Sequence, residues 1–143
     1  MKLVMVGHGN FASGIMTSLN LIAGPQENIE VIDFTSDMSS DDVKKRILSS
    51  IENVETVLVL CDLLGGTPFK VASVIMSEHS EKRMNVIAGL NLSMMLEATF
   101  LRLENLPFDK LVEKILKAAR DGIIDCQTLL QSDTNEDESE FGI

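Results

Sequence analysis

Lys2-Leu3-Val4-Met5-Val6-Gly7-His8-Gly9-Asn10-Phe11-Ala12-Ser13-Gly14 is a short apolar run that ends on a histidine between two glycines and passes at once into helix-forming sequence. The run reads as a buried strand centred on residues 4–6, followed by a helix over about 11–23. Open α/β sheets bind their ligands outside the carboxyl ends of the strands. A histidine placed there presents its ring to solvent, and glycine on either side leaves its backbone free to turn. The position suits reactivity more than packing.

Working outward, Gly24-Pro25 closes the first helix, with glycine just past the end and proline beyond it. Residues 29–34 (Ile-Glu-Val-Ile-Asp-Phe) read as a second strand. Ser39 or Ser40 can cap a helix to about Ile51, with Asp41 and Asp42 in its first turn and Lys44, Lys45 and Arg46 later, as the helix dipole prefers. Residues 56–61 (Thr-Val-Leu-Val-Leu-Cys) are almost continuously apolar, the mark of a central parallel strand buried on both faces. The loop Asp62-Leu63-Leu64-Gly65-Gly66 leads to Thr67, expected as N-cap, and Pro68, expected at the first helical position of a helix to about Glu78. Residues 84–88 predict a fourth strand. Asn91 or Ser93 starts a helix to about Leu103. A further helix over 107–120 shows apolar Leu111, Val112, Ile115, Leu116 and Ala119 at helical spacing and ends at Gly122. Ile123 and Ile124, with Leu129 and Leu130, read as a last short strand or extended arm.

Strands alternating with helices predict an α/β fold, a three-layer sandwich around a mainly parallel, doubly wound sheet. One domain over 1–130 accounts for the apolar periodicity. From residue 131 the chain becomes acidic and polar (Asp133-Thr134-Asn135-Glu136-Asp137-Glu138-Ser139-Glu140) and is expected to be a solvated, disordered tail.

Composition bounds the function. The 143 residues are 45% hydrophobic and 24% charged, which is globular, with enough length for one real core. A formal net charge of −10 argues against nucleic acid and against an anionic membrane surface, and suits a basic partner protein. The two cysteines, Cys61 and Cys126, lack metal spacing and suggest free thiols in a reducing compartment. The apolar run after Met1 stops at Gly7, too short for a signal peptide, and no stretch approaches membrane-spanning length. A cytoplasmic location is expected.

Two constellations can carry chemistry. The first is Gly7-His8-Gly9, followed by Asn10 and Phe11 at a helix start, where free N–H groups and the dipole favour an anion near the ring. Imidazole can exchange protons or attack an electrophile near neutral pH. The second is Asp62-Leu63-Leu64-Gly65-Gly66-Thr67-Pro68. Asp62 also follows a central strand and can sit beside His8, accepting Nδ1–H and leaving Nε2 as the nucleophile. Gly65 and Gly66 can turn backbone N–H groups inward as an anion nest, and Thr67 can add a hydroxyl. Asp33, at the end of the second strand, could reach the rim. His79 reads as an exposed helix-end residue, and the methionines as core filler. No Walker lysine or spaced G-x-G-x-x-G supports ATP or NAD, and no Cys/His cluster supports zinc, so no cofactor or metal is expected.

These residues resemble a known family. Val6-Gly7-His8-Gly9-Asn10-Phe11-Ala12-Ser13-Gly14 resembles the active-histidine motif of the mannose-type enzyme IIA of the bacterial phosphoenolpyruvate-dependent sugar phosphotransferase system. Asp62-Leu63-Leu64-Gly65-Gly66-Thr67-Pro68-Phe69 resembles its second signature, and Val86-Ile87-Ala88-Gly89-Leu90-Asn91 its third. The resemblance spans about residues 2–122. It implies that His8 takes a phosphoryl group from phosphohistidine on HPr and passes it to enzyme IIB, which feeds the membrane permease components IIC and IID. It implies that Asp62 hydrogen-bonds the histidine and that Thr67 lies beside the phosphoryl group, with Gly9, Asn10, Phe11, Gly65 and Gly66 as the other candidate phosphate contacts. It further implies a homodimer in which a C-terminal antiparallel strand is exchanged, and a free-standing IIA, since the acidic tail is too short for a IIB domain.

Other readings need other residues. A regulatory module, or one feeding a dihydroxyacetone kinase, would share the phosphohistidine and differ in its acceptor. A response-regulator receiver would need acids after the first strand, where His8 stands. A histidine phosphatase would want arginines around the histidine, and neither loop contains one.

Overall fold

The computed structural model describes residues 1–132. Its elements run β1 (Lys2–His8), α1 (Phe11–Ala23), β2 (Ile29–Phe34), α2 (Ser40–Ile51), β3 (Thr56–Cys61), α3 (Thr67–Glu78), β4 (Arg83–Ala88), α4 (Leu92–Leu101) and α5 (Phe108–Asp121). The four strands form one sheet in the order β2-β1-β3-β4. All three pairings are parallel. The chain steps from β1 to β2 on one side, then crosses to β3 on the other. The ends of β1 and β3 therefore flank the point where the winding reverses, the usual place for a ligand crevice in such sheets.

Alternation along the strands divides the core into two layers. Leu3 and Met5 of β1 with Leu58 and Leu60 of β3 face Ala12 and Leu19 of α1, Met94, Met95 and Ala98 of α4, and Leu111, Val112 and Ile115 of α5. Val4 and Val6 with Val57, Val59 and Cys61 face Val43, Ile47 and Ile51 of α2 and Ala72 and Ile75 of α3. The three-layer sandwich follows from helices on both faces. β1 and β3 are covered on both sides, so the unbroken apolar run at 56–61 has a packing reason. β1 is longer than its apolar centre because pairing with β2 continues through Gly7 opposite Asp33 and His8 opposite Phe34.

The caps decide where the helices sit. Ser39 closes a reciprocal box: its hydroxyl accepts the Asp42 N–H, and the Asp42 carboxylate accepts the Ser39 N–H at 2.8 Å. Asn91, not Ser93, starts α4, accepting the Met94 N–H at 2.8 Å while its amide donates to Ala119 O of α5 at 3.0 Å. Pro107 stands outside α5 as its N-cap.

Two expectations are corrected. Thr67 does not cap α3. Gly66 holds the extended N-cap conformation, no side chain caps the helix, and Thr67 is its first residue. The Gly65-Gly66 turn delivers the chain one residue earlier than the threonine pattern suggests. The last strand or arm is also absent from the described residues, where every strand pairing is parallel. Residues 123–125 are irregular and 126–132 are helical. The cause is a local cap: Asp125 Oδ1 accepts the Thr128 N–H at 2.9 Å, and the Thr128 hydroxyl donates to Oδ2 at 2.5 Å. The expected domain limit at 130 falls inside that helix, and the acidic run from 133 onward lies outside the described residues.

Candidate functional site

His8 is the last residue of β1, and Asp62 directly follows β3. The Asp62 N–H donates to Val6 O at 3.2 Å, which carries the β1–β3 ladder one step past the strand. This places the carboxylate under the histidine. Asp62 Oδ2 lies 2.8 Å from the His8 backbone nitrogen, whose N–H it accepts, and 2.8 Å from His8 Nδ1. A carboxylate accepts and does not donate when ionised, so the proton of the neutral ring is assigned to Nδ1 and the lone pair to Nε2. The His8 side chain is 45% exposed and that of Asp62 only 11%. Burial pushes the Asp62 carboxyl up, but the His8 backbone N–H, the His8 ring and its charge, and the Leu63 N–H together outweigh it and hold the group below its ordinary value of 3.8. Asp62 Oδ1 is buried and has no well-formed hydrogen bond among the described residues. The stabilisation therefore concentrates on the oxygen that faces His8.

Glycines make this approach possible. A Cβ on Gly66 would stand 2.9 Å from His8 Cε1 and 3.7 Å from Nε2, so the β3–α3 loop touches the ring edge to edge with no room for a side chain. A Cβ on Gly7 would meet Phe11 Cδ1 at 3.0 Å and Asp62 Cβ at 3.4 Å. Gly9 and Gly65 have φ of 57° and 75°, left-handed values that turn the chain away from the ring on either side. The β3–α3 loop thus brings Gly66 against the His8 ring, with Gly9 following His8 in the chain and Gly65 preceding Gly66. Asn10 occupies the N-cap of α1 without a side-chain capping bond, and Phe11 opens the helix. Phe11, Leu63 and Leu64 stand exposed on the two loops, Leu64 by 74%.

Two neighbours carry more than sequence reasoning assigned them. The Phe34 ring packs edge-on against the His8 ring, centroids 5.5 Å apart and planes at 64°. Its carbonyl accepts the Gly9 N–H at 2.9 Å. Asp33, expected as a candidate for the rim, is engaged instead by α1: its Oδ1 accepts the Ser13 N–H at 3.0 Å. The available signal was positional: an Asp-Phe pair ends the strand that pairs with β1. His79, at the far end of α3, is half-buried and pairs with Glu81 at 3.0 Å, away from this constellation. Among the described residues no group of three histidine, cysteine, aspartate or glutamate side chains gathers as a metal site. Among the described residues no helix is long and apolar enough to cross a membrane.

An exposed imidazole whose ring is oriented by a largely buried carboxylate, at the reversal point of a parallel sheet, defines a doubly wound α/β protein with a tautomer-fixed histidine at its surface. The chain belongs to the EIIA-man family of sugar phosphotransferase components, described as "PTS system fructose IIA component", whose family profile matches residues 2–116. Among curated relatives, the mannose-specific EIIAB component of Escherichia coli K12 is 32% identical over 126 residues, a match covering 84% of this chain and 38% of that protein. The sorbose-specific EIIA component of Lacticaseibacillus casei is 26% identical and matches over 96% of this chain and 99% of its own length. Among solved structures, a phosphotransferase system component EIIA from Streptococcus agalactiae is 44% identical with a TM-score of 0.86, covering 89% of this chain and 98% of that one. A mannose/sorbose-specific IIA subunit from Enterococcus faecalis is 28% identical with a TM-score of 0.76, covering 87% and 92%.

Proposed function

We propose that this chain is a phosphoryl relay that accepts phosphate from phosphohistidine on HPr at His8 Nε2 and passes it to enzyme IIB for carbohydrate uptake. The observation that carries the reading is the 2.8 Å contact of His8 Nδ1 with Asp62 Oδ2, which leaves the Nε2 lone pair free on a side chain that is 45% exposed. In the transfer, that lone pair attacks phosphorus. The new N–P bond forms as the donor's N–P bond breaks, and the released electron pair stays on the donor imidazole nitrogen. His8 then carries phosphorus on Nε2 and a proton on Nδ1. The ring is cationic in this state, and Asp62 faces it with the opposite charge. Onward transfer is the same step in reverse, with a group on enzyme IIB as nucleophile.

Catalysis in such a step is mainly positioning and electrostatic stabilisation of the phosphoryl oxygens. Gly9, Asn10, Phe11, Gly65, Gly66 and Thr67 are the proposed phosphate contacts. The start of α3, with no side-chain cap, supports this because its first N–H groups are left to a ligand. The exposed apolar side chains of Phe11, Leu63 and Leu64 suit a transient protein partner. The reading also implies a cytoplasmic homodimer, supported by the exposed Ile123, Ile124, Leu129 and Leu130 near the end of the described chain, and sedimentation measures that directly.

The test is incubation with phosphoenolpyruvate, enzyme I and HPr, followed by intact-mass measurement under alkaline conditions. Wild type gains one acid-labile phosphate and His8→Ala gains none. Equal labelling of both proteins overturns the assignment.

A further inference from the structure

Asp33 is the second carboxylate at this end of the sheet. It stands on β2 opposite Gly7 of β1, and its Oδ1 accepts the Ser13 N–H at 3.0 Å. Ser13 is the third residue of α1, so this N–H is one of the donors a helix leaves unpaired at its start. Asn10 has the residue type and position to satisfy such a donor, yet its side chain makes no capping bond. The cap comes from another strand instead. One residue on, Phe34 accepts the Gly9 N–H at 2.9 Å and packs its ring on His8. Two consecutive residues of β2 therefore hold the β1–α1 segment at three points: Gly9, the His8 ring and Ser13.

We propose that Asp33 is a positioning residue of the phosphoryl relay, anchoring the His8 loop through Ser13 and, by its negative charge at the start of α1, offsetting the positive potential that this helix end offers the phosphoryl group. The inference rests on the relay reading above. A helix N-terminus carries about half an elementary positive charge and favours anions. Left open beside His8, α1 would stabilise the phosphorylated ring and turn a carrier into a sink. With a carboxylate already seated there, the pull of the α1 start on the phosphoryl oxygens is weakened, and the α3 start and the glycine loop carry more of their stabilisation. The like charge of Asp33 keeps the phosphohistidine high in free energy, and a relay must be so poised to pass its phosphate on.

Asp33→Asn in the full chain separates the two roles, because the amide oxygen still accepts the Ser13 N–H while the charge is gone. At equilibrium with HPr and phospho-HPr, the ratio of phosphorylated to free chain is expected to rise about twofold to fivefold over wild type, the range set by the energy of a charge at a helix end. The Ser13 amide is expected to stay protected in hydrogen exchange. Asp33→Ala removes the acceptor as well, so the Ser13 amide exchanges faster and the rate of phosphate uptake from phospho-HPr falls. Asp33→Ser, neutral and still able to accept, is read in the same way should the asparagine variant fail to fold. A ratio indistinguishable from wild type in the neutral, folded variant overturns the proposal. Wild type that takes no phosphate from phospho-HPr overturns the relay reading beneath it, and that outcome is seen without any variant.

Discussion

Asp62 Oδ2 accepts two hydrogen bonds from His8, one from the backbone N–H and one from ring Nδ1, each at 2.8 Å. A single oxygen thus fixes both where the chain ends its strand and how the ring is turned. The backbone bond matters for interpreting variants. It demands an acceptor at that point, so the ring's partner is held in place by the main chain itself.

Asp62→Asn is expected to keep its amide oxygen at the Oδ2 position, because the His8 N–H rejects the NH₂ group there. The ring orientation and tautomer then survive, and what is lost is the charge that faces the cationic phospho-ring. Transfer from phospho-HPr should slow by roughly 10- to 100-fold, the usual cost of changing the carboxylate hydrogen-bonded to a functional imidazole. Stopped-flow transfer rates check this, with circular dichroism to verify the fold. A rate equal to wild type would remove Asp62 from the mechanism.

Acid stability follows from the same carboxylate. Its folded-state value lies below the ordinary 3.8 because the His8 and Leu63 bonds outweigh burial. A depressed carboxylate contributes stability that is fully present above the unfolded value and is lost as pH falls through the folded one. The loss therefore lies below about pH 4. Asp42 of the α2 capping box is lowered too, by the backbone and side-chain bonds of Ser39, and acts in the same direction. Melting temperature is expected to be flat from pH 7 to pH 5 as far as these groups decide it, and to fall below pH 4. Asp62→Asn should make the acid limb shallower. An unchanged limb in that variant would show that the Asp62 contacts do not contribute to folding.

Sequence reasoning reached the layers, the strand order's parallel character and the His8–Asp62 pair because each rests on a strong local signal. The run 56–61 is short, β-branched-rich and bounded by turn residues, which fits a strand covered on both faces, and a glycine-flanked histidine after an apolar run fits a strand end. Thr67 misled because residue type identifies a capping candidate but not the turn that feeds it. Gly65, at φ 75°, turns the chain so that Gly66 takes the cap position. Residues 123–130 misled because Ile-Ile and Leu-Leu pairs fit a strand as well as a helix, and the deciding contact, Asp125 to Thr128, is three residues long and easily passed over. Phe34 was missed as a neighbour of His8 because strand register is not readable from composition. Only the pairing of His8 with Phe34 brings them together.

The two cysteines should differ sharply in reactivity. Cys61 is fully buried at the end of β3, and burial first, then the adjacent Asp62 charge, pushes its thiol up to about 12. Cys126 is exposed. Thiolate is the reacting species, so iodoacetamide at pH 8 should modify Cys126 and leave Cys61 untouched in the folded chain. Peptide mass mapping reads the result. Denaturation should expose both. Native labelling of Cys61 at a rate like that of Cys126 would contradict the buried setting.

Gly65 and Gly66 are neighbours with opposite reasons for lacking a side chain, and replacing each with alanine should separate stability from chemistry. Gly66 has φ of −66°, which any residue adopts, so alanine strains no backbone there. Its new methyl would instead meet His8 Cε1 at 2.9 Å and push the ring off Asp62. Gly65 has open space for a methyl but a φ of 75°, where an L-residue costs about 1 kcal/mol or more. Gly66→Ala is therefore expected to lose only what the single His8 ring bond to Asp62 contributes, on the order of 1 kcal/mol or less. Its phosphate uptake should nonetheless fall by roughly tenfold or more, as a misplaced reacting group predicts. Gly65→Ala is expected to lose about 1 kcal/mol of stability, with a smaller effect on uptake per folded molecule. Urea unfolding and transfer rates on the same two proteins check the pair. Full transfer activity in Gly66→Ala would mean that the ring can tilt without losing its place, and that the close approach of Gly66 to His8 has no part in the chemistry.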